Sequence, residues 1–204
     1  MSYSQIGQDL AVLKFYNNKK NGFFIEIGAS DGIELSNTYL LENMFDWKGI
    51  CVEPIPNRFN LLCKNRPNSL CYDYAVYNVS NKHVIFDIAN NYDLLSGISE
   101  YIDCYKNVVD SNKKQIVVNT ISLNDLLEKS NAPSFIDYLS LDTEGSELEI
   151  LKSVDFQKYT FGLIDVEHNF SESKRKDIHS LLTSNGYHFL RENKWDDCYK
   201  HSSL

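Results

Sequence analysis

Four apolar runs of this sequence lead into or contain carboxylates. Glu26 and Asp31 flank the first glycine of FFIEIGASDG, Glu53 follows GICV, Asp142 and Glu144 follow YLSL, and Glu167 precedes His168 and Asn169 after GLIDV. Such groups can accept from paired hydroxyls, remove a proton, hold a metal ion or neutralise a cationic ligand. Gly28 and Gly32 permit the tight turn and close backbone approach that nucleotide-type cofactors need between a first strand and its helix. The dinucleotide fingerprint GxGxxG is absent. The loop reads GASDG with Glu26 just ahead of it, and two carboxylates would repel a pyrophosphate.

The same carboxylates suit a ligand carrying an ammonium and a sulfonium, because opposite charge in a partly desolvated cleft is favourable by about a few kcal/mol at most. S-adenosylmethionine has both groups. Glu53 stands about 20 residues beyond the loop, where an acidic side chain takes the ribose hydroxyls in nucleotide-binding βαβ units. Taken singly, Glu26, Asp31 and Glu53 could equally cap helices or line a solvated rim. Together, in one βαβ frame, they favour a ligand site.

Periodicity gives the elements that would place these groups. Phe23 to Ile27, Gly49 to Val52, Tyr138 to Leu141 and Gly162 to Val166 are solid apolar runs, as parallel strands covered on both faces produce. Between them, Leu40, Leu41, Met44 and Phe45, then Phe59, Leu62 and Cys63, then Leu148 and Leu151 recur at helical spacing. A last series, Ile178, Leu181 and Leu182, stops at Asn185-Gly186. HVIFDIA (His83 to Ala89) and QIVVNTISL (Gln115 to Leu123) alternate instead, which predicts an antiparallel addition, followed by a helix start at Ser122-x-x-Asp125. Alternating strand and helix predicts an α/β doubly wound open sheet. Such sheets bind ligands outside the carboxyl ends of their strands, where the strand order reverses.

The 204 residues, 43% of them hydrophobic, suit one domain with one core. A net charge of -8 argues against a broad grip on nucleic acid or anionic lipid. No stretch approaches the ~18 consecutive apolar residues of a membrane helix, so no membrane insertion is expected. The start MSYSQIGQDLAVLKFY lacks the basic and apolar blocks of a signal peptide, which makes cytoplasmic residence the expectation. The five cysteines, Cys51, Cys63, Cys71, Cys104 and Cys198, form no CxxC pair and no zinc-spaced cluster. They read as buried reduced thiols.

Taken in order, SQIGQD, FIEIGASDGIELSNT, LLENMFDWKGICVEP, NR, LSLDTEGSELEIL, IDVEHN, GY and WDDCY resemble the FkbM family of S-adenosylmethionine-dependent methyltransferases, over nearly the whole chain. The resemblance implies a Rossmann-like methyltransferase sheet, mostly parallel, with an antiparallel addition near the C-terminus. It implies a single methyltransferase domain over 1–204, with 1–22 as an N-terminal cap and 23–204 as the core. It also implies methyl transfer to a hydroxyl, often on a sugar or glycosylated product, with S-adenosylhomocysteine as the second product. Carried over residue by residue, Glu26, Gly28, Ser30, Asp31 and Gly32 would face the methionine end of the cofactor, Glu53 the ribose, and Asp73 with Ala75 and Val76 the adenine. Pro54 and Asp142 join this cofactor-binding set. Ser36-Asn37-Thr38 either caps the next helix or sets a polar group, Asn37, over the cofactor. Two positions depart from the pattern: Glu26 stands where many relatives have Asp, and Ser140 where Lys is common.

Methyl transfer from a sulfonium is an in-line displacement, so the acceptor oxygen must be held near the methyl and its proton removed. Asp142, at a strand end, and Glu144, in the turn after it, are acidic candidates for catalysis. His168 is the candidate general base, since its unperturbed pKa lies near neutrality, and a structural hydrogen-bonding role is its alternative. Asp142, Glu167 and His168 could instead hold a divalent cation that binds sugar hydroxyls, as in some sugar O-methyltransferases of similar fold. His83, His179, His188 and His201 fall at strand, helix or tail positions. Trp195, Asp196, Asp197 and Tyr199 would roof an acceptor pocket or lie on an edge strand. Gln5, Gln8, Asp9 and the loop Asp93 to Ser99, with Gly97 easing its motion, would close over the site. The expected activity is therefore O-methylation of a carbohydrate hydroxyl. The alternatives are a non-catalytic cofactor-fold binding module within a glycan-building polypeptide and a nicotinamide-dependent oxidoreductase, the latter disfavoured by the missing GxGxxG.

Overall fold

Solid apolar runs need cover on both sides, and the chain supplies it by packing helices against both faces of one sheet. The computed structural model describes residues 1–90, 93–102 and 105–204. Among these the strands are β1 (Phe23–Ile27), β2 (Lys48–Val52), β3 (Leu70–Tyr72), β4 (Ala75–Tyr77), β5 (His83–Ala89), β6 (Gly97–Ile98), β7 (Lys113–Ser122), β8 (Phe135–Leu141), β9 (Thr160–Glu167), β10 (Tyr187–Asn193) and β11 (Asp196–His201). The helices are α1 (Gln8–Phe15), α2 (Tyr39–Phe45), α3 (Pro56–Asn65), α4 (Lys106–Ser111), α5 (Leu123–Lys129), α6 (Glu147–Lys152) and α7 (Glu172–Ser184). A seven-stranded sheet runs β10-β11-β9-β8-β1-β2-β3. Its neighbours from β9 to β3 pair in parallel, and β11 is the reversed strand, antiparallel to both β9 and β10.

Side chains alternate across the pleat, so each strand feeds two cores. Ile25, Ile27, Ile50, Val52, Leu139 and Leu141 pack with Leu126, Ile150 and Ile178 of α5, α6 and α7. Phe24, Cys51 and Tyr138 turn to the other face and meet Val12, Leu41 and Leu62 of α1, α2 and α3. From β1 the chain moves outward to β2 and β3 and later returns to β8 on the opposite side of β1. The carboxyl ends of β1 and β8 therefore flank the switch point where open α/β sheets bind ligands.

Local signals behave as their chemistry requires. Ser122 Oγ accepts from the Asp125 amide at 3.1 Å and caps α5, and α7 stops at Asn185, with Gly186 at φ 85°. The alternating runs do pair antiparallel, β5 with β7, but they belong to a separate four-stranded sheet, β4-β7-β5-β6. The antiparallel strand of the main sheet is β11, near the C-terminus. β11 is interior to that sheet, and Asp196, Asp197 and Tyr199 on it are buried, which corrects the edge-strand alternative. Cys51 and Cys198 are buried free thiols, Cys71 is half-buried and Cys63 is exposed, while Cys104 lies outside the described residues. Among those residues no helix is long and apolar enough to cross a membrane.

The residues before β1 are pinned across the strand ends. Asp9, fully buried, accepts from Ser2 Oγ (2.6 Å), the Tyr3 amide (2.8 Å) and Ser4 Oγ (2.8 Å). Gln8 Nε2 donates to Asp196 Oδ2 at 2.8 Å, and Ser4 bridges to Leu35. This segment forms one wall of the cleft described next.

Candidate functional site

Gly28 ends β1 at φ 87°, and a Cβ there would lie 2.1 Å from the Asp142 carbonyl oxygen. Only glycine lets the ends of β1 and β8 approach so closely. Above this point a cleft opens, lined by Gly28, Ser30, Asn37, Glu53, Asp142 and Glu167 among others.

The half of the cleft over β1 and β2 has the chemistry of a nucleoside site. Glu53 ends β2; its Oε2 accepts from the Ser30 amide (3.0 Å) and its Oε1 from the Ile55 amide (2.8 Å). Ser30 sits in the left-handed region at φ 48°, and its Oγ is buried with no partner among the described residues. Asn37 gives its Nδ2 to Ser140 Oγ at 2.8 Å and leaves a buried Oδ1 equally unpartnered at the cleft wall. Buried polar atoms without partners are costly, and at a cleft wall they mark places for ligand hydrogen bonds. Pro54, Ile55, Ala75, Val76, Phe86 and Ile98 make the adjoining apolar slot.

Three residues expected at the methionine end, Glu26, Asp31 and Gly32, are not among the cleft-lining residues. Glu26 is committed below the floor, where it accepts from Ser36 Oγ (2.9 Å), the Asn37 amide (2.6 Å) and Thr38 Oγ1 (2.6 Å) and lies 3.3 Å from Arg66 Nη1. Arg66 is 0% exposed and also pairs with Glu42 at 2.6 Å. The negative charge of Glu26 is thus answered within the protein. Asp31 Oδ1 accepts from the Ile33 and Glu34 amides, each at 2.9 Å, and its other oxygen lies 3.8 Å from Arg58, so it closes the turn. A Cβ on Gly32 would meet Arg66 Cγ at 2.6 Å, which makes it a packing glycine. Asp73, expected at the adenine, is exposed and outside the cleft, whereas Ala75 and Val76 line it. Nothing in the local pattern around NR distinguished Arg66 as the partner of two distant glutamates.

At the opposite half, β8 and β9 bring Asp142, Glu144 and Glu167 together, with one oxygen from each within 4.8 Å of the others. Asn169 Nδ2 donates to Glu167 (2.8 Å) and Glu144 (3.2 Å). Burial pushes the Asp142 carboxyl up from 3.8 to about 7, the Glu147 charge adds to this, and a hydrogen bond with Glu167 opposes it. Burial, then the charges of Asp142 and Glu144, drive Glu167 well above the usual carboxylate range. Burial and Asp142 raise Asp196, behind them, to about 8. Two carboxyls this close resist joint ionisation and titrate as a pair rather than singly. Glu144 and Asn169 have φ of 56° and 46°. Such non-glycine left-handed residues persist only where their surroundings hold them.

His168 is not part of this group. Consecutive residues at a strand end face opposite ways, and while Glu167 enters the cleft, the His168 ring is buried on the other side. There its Nδ1 accepts from the Phe170 amide at 3.0 Å and its Nε2 lies 3.7 Å from Asp197 Oδ1. Burial lowers its pKa, with Asp197 opposing. The structure thus places His168 apart from the Asp142 and Glu167 carboxyls that it was expected to join, and brings Glu144 beside them instead.

Trp195, Gln5 and Gln8 also line the cleft, as do Leu94, Leu95 and Ser96. Gly97 is a close-packing position, not a pivot: a Cβ there would lie 3.2 Å from the Thr143 carbonyl oxygen and 3.3 Å from Glu144 Cβ.

Residues 26–189 match the model of the methyltransferase FkbM domain. No curated protein matches the sequence. Among solved structures, the chain is similar to a precorrin-6y C5,15-methyltransferase from Geobacter metallireducens GS-15, at 10% identity and TM-score 0.51, covering 94% of this chain and 86% of that one. It is similar to a putative RNA methyltransferase from Pyrococcus horikoshii at 10% identity and TM-score 0.50, covering 96% and 81%. The METTL16 methyltransferase domain gives 12% identity and TM-score 0.53, covering 95% and 65%. At these identities the structural likeness concerns the fold.

Proposed function

Because the chain belongs to the FkbM family of methyltransferases, we propose that it is an S-adenosylmethionine-dependent O-methyltransferase acting on a hydroxyl of a sugar or glycan. The observation that carries this reading is that one cleft joins a nucleoside-like half, with Glu53 and the unpartnered Ser30 Oγ and Asn37 Oδ1, to a half in which the carboxyls of Asp142, Glu144 and Glu167 converge. In this reading Glu53 takes the ribose hydroxyls, Pro54, Ile55, Ala75 and Val76 flank the purine, and Gly28, Ser30 and Asn37 meet the methionine end. The bound cofactor supplies an electrophilic methyl group.

The protein's own part is to orient the acceptor and receive its proton. The Asp142–Glu167 pair can take up a hydroxyl proton in its ionised form and return it to water. Trp195 offers a flat apolar face to a sugar ring, and Gln5 and Gln8 offer amides to its hydroxyls. The net charge of -8 disfavours a nucleic-acid acceptor, and a shared fold with an RNA methyltransferase carries no substrate across. A second reading of the same carboxylates is favoured by their spacing. Three oxygen donors within 4.8 Å form a set that a hard divalent cation would accept, with the acceptor hydroxyl polarised on it.

Calorimetry tests the cofactor. S-adenosylmethionine and S-adenosylhomocysteine are expected to bind saturably and NADH not at all, with Glu53→Ala weakening both adenosyl ligands by ~10-fold or more, since charged hydrogen bonds to hydroxyls contribute about 1.5–3 kcal/mol. Absence of adenosyl binding would leave a partner-binding module. Methyl transfer to a panel of sugars, after dialysis against EDTA, then separates the two acid readings. Turnover that survives supports the carboxyl pair as base, and turnover that returns only with Mg²⁺ or Mn²⁺ supports the cation.

A further inference from the structure

The turn that carries Glu144 into the acidic group is held from behind by a side chain that never reaches the cleft. Glu147, at the start of α6, is 0% exposed and is not among the cleft-lining residues. Its Oε1 accepts three hydrogen bonds from that turn: from the Thr143 amide at 2.9 Å, from Thr143 Oγ1 at 2.9 Å and from the Gly145 amide at 3.0 Å. Ser146 Oγ adds a bond to Thr143 Oγ1 at 2.9 Å. Its Oε2 meets Lys174 Nζ of α7 at 3.0 Å. The residue between the two tethered amides, Glu144, is the one at φ 56°, and Gly145 follows at φ 132°, where a Cβ would collide with the Tyr101 carbonyl oxygen at 1.9 Å.

A left-handed glutamate is strained relative to an ordinary conformation, and a free turn would relax and withdraw the Glu144 carboxylate from Asp142 and Glu167. Amide donors aimed at one ionised acceptor oppose this relaxation, because charge-assisted bonds are roughly twice as strong as neutral ones. Removing one partner of a buried ion pair strands the other charge, and Lys174, 11% exposed, is the cation that pairs with Glu147.

We propose that Glu147 and Lys174 are a positioning pair for methyl transfer: Glu147 clamps the Thr143–Gly145 turn so that Glu144 stands with Asp142 and Glu167, and Lys174 anchors the other oxygen of the clamp. The proposal rests on the reading of the cleft as the transfer site, but the clamp can be tested apart from it. Glu147→Ala removes the acceptor. Glu147→Gln keeps an oxygen for the turn and loses the ion pair. Lys174→Met leaves the glutamate alone.

Hydrogen exchange at the Thr143 and Gly145 amides is expected to speed up at least ~10-fold in Glu147→Ala and far less in Glu147→Gln, following the loss or retention of an acceptor. For turnover, kcat is expected to fall ~100-fold in Glu147→Ala, the size of effect that follows a displacement of about 1 Å at a reacting group. The affinity for S-adenosylhomocysteine should stay within ~3-fold, because the nucleoside half is untouched. Glu147→Gln should recover at least a tenth of wild-type kcat, and Lys174→Met should fall between the two. Unchanged exchange in Glu147→Ala overturns the clamp. A kcat loss matched by an equal loss of S-adenosylhomocysteine affinity overturns the positioning role. Faster exchange in a protein that binds no adenosyl ligand keeps the clamp and removes only the methyltransferase reading.

Discussion

Arg66→Met is expected to destabilise the protein by ~3–5 kcal/mol, because removing one partner of a buried ion pair strands the others. The guanidinium lies within 3.3 Å of Glu26, 2.6 Å from Glu42 and 2.8 Å from Thr38 Oγ1, and also donates to the Gly32 carbonyl. All of these are enclosed, so two carboxylates would have to take up protons or draw in water. Against a typical total of about 5–15 kcal/mol, such a loss consumes much of the folding free energy. Urea unfolding checks it: the midpoint should fall steeply with the slope unchanged. A triple variant that adds Glu26→Gln and Glu42→Gln should recover a large part, since the stranded charges go with the arginine. If Arg66→Met alone shifts stability by less than about 1 kcal/mol, in the range of exposed pairs, the buried network is not what holds the floor of the cleft.

Asp142→Asn should separate activity from stability. Loss of a positioned base typically costs ~10²–10⁴-fold in rate, so kcat should drop by that amount while S-adenosylhomocysteine still binds. In the wild type the rate should climb as pH rises through about 7, as the pair loses a proton; the variant should be slow and lack this rise. Stability moves the other way. The folded Asp142 carboxyl titrates near 7 and the unfolded one near 3.8, so between these values the folded state binds more protons and unfolding becomes easier as pH rises. The variant lacks this penalty. Its advantage in unfolding free energy should open between pH 4 and 7 and stay constant above. By contrast, His168→Ala, outside the cleft, should leave turnover near wild type while costing stability. A large kcat loss in His168→Ala with none in Asp142→Asn would reverse the assignment.

The sequence displayed most of the scaffold because solid apolar runs are a consequence of two-sided burial, and β1, β2, β8 and β9 fall where those runs stand. It displayed β5 and β7 as alternating strands but not their sheet, since alternation reports one covered face without saying what covers it. Ser30, Glu53, Asp142, Glu144 and Glu167 were legible as strand-end polar groups, Gly28 as a turn glycine and Asn37 only through the family resemblance, and the structure gathers them at one cleft. Glu26, Asp31 and His168 looked the same in one dimension. Their difference lies in which way each side chain leaves the backbone and in what waits there: Arg66 and Ser36 for Glu26, the Ile33 and Glu34 amides for Asp31, the Phe170 amide for His168. Arg66 and Glu147 were missed as members of the site's support, because their partners are set by tertiary approach. For Glu147 a signal was available: an acid two residues after a glycine, at the first turn of a helix, is placed to accept that glycine's amide.

The bond from Gln8 to Asp196 joins residues 188 positions apart, and it ties the segment before β1 to a strand that follows every cleft-lining residue in the sequence. That segment can gather itself around Asp9 locally, but its place against the cleft depends on β11. In the proposed reading the nucleoside half draws on β1, β2 and β4, whereas the acceptor half draws on β8, β9 and this distant clasp, so loss of β11 would loosen the acceptor side before the cofactor side.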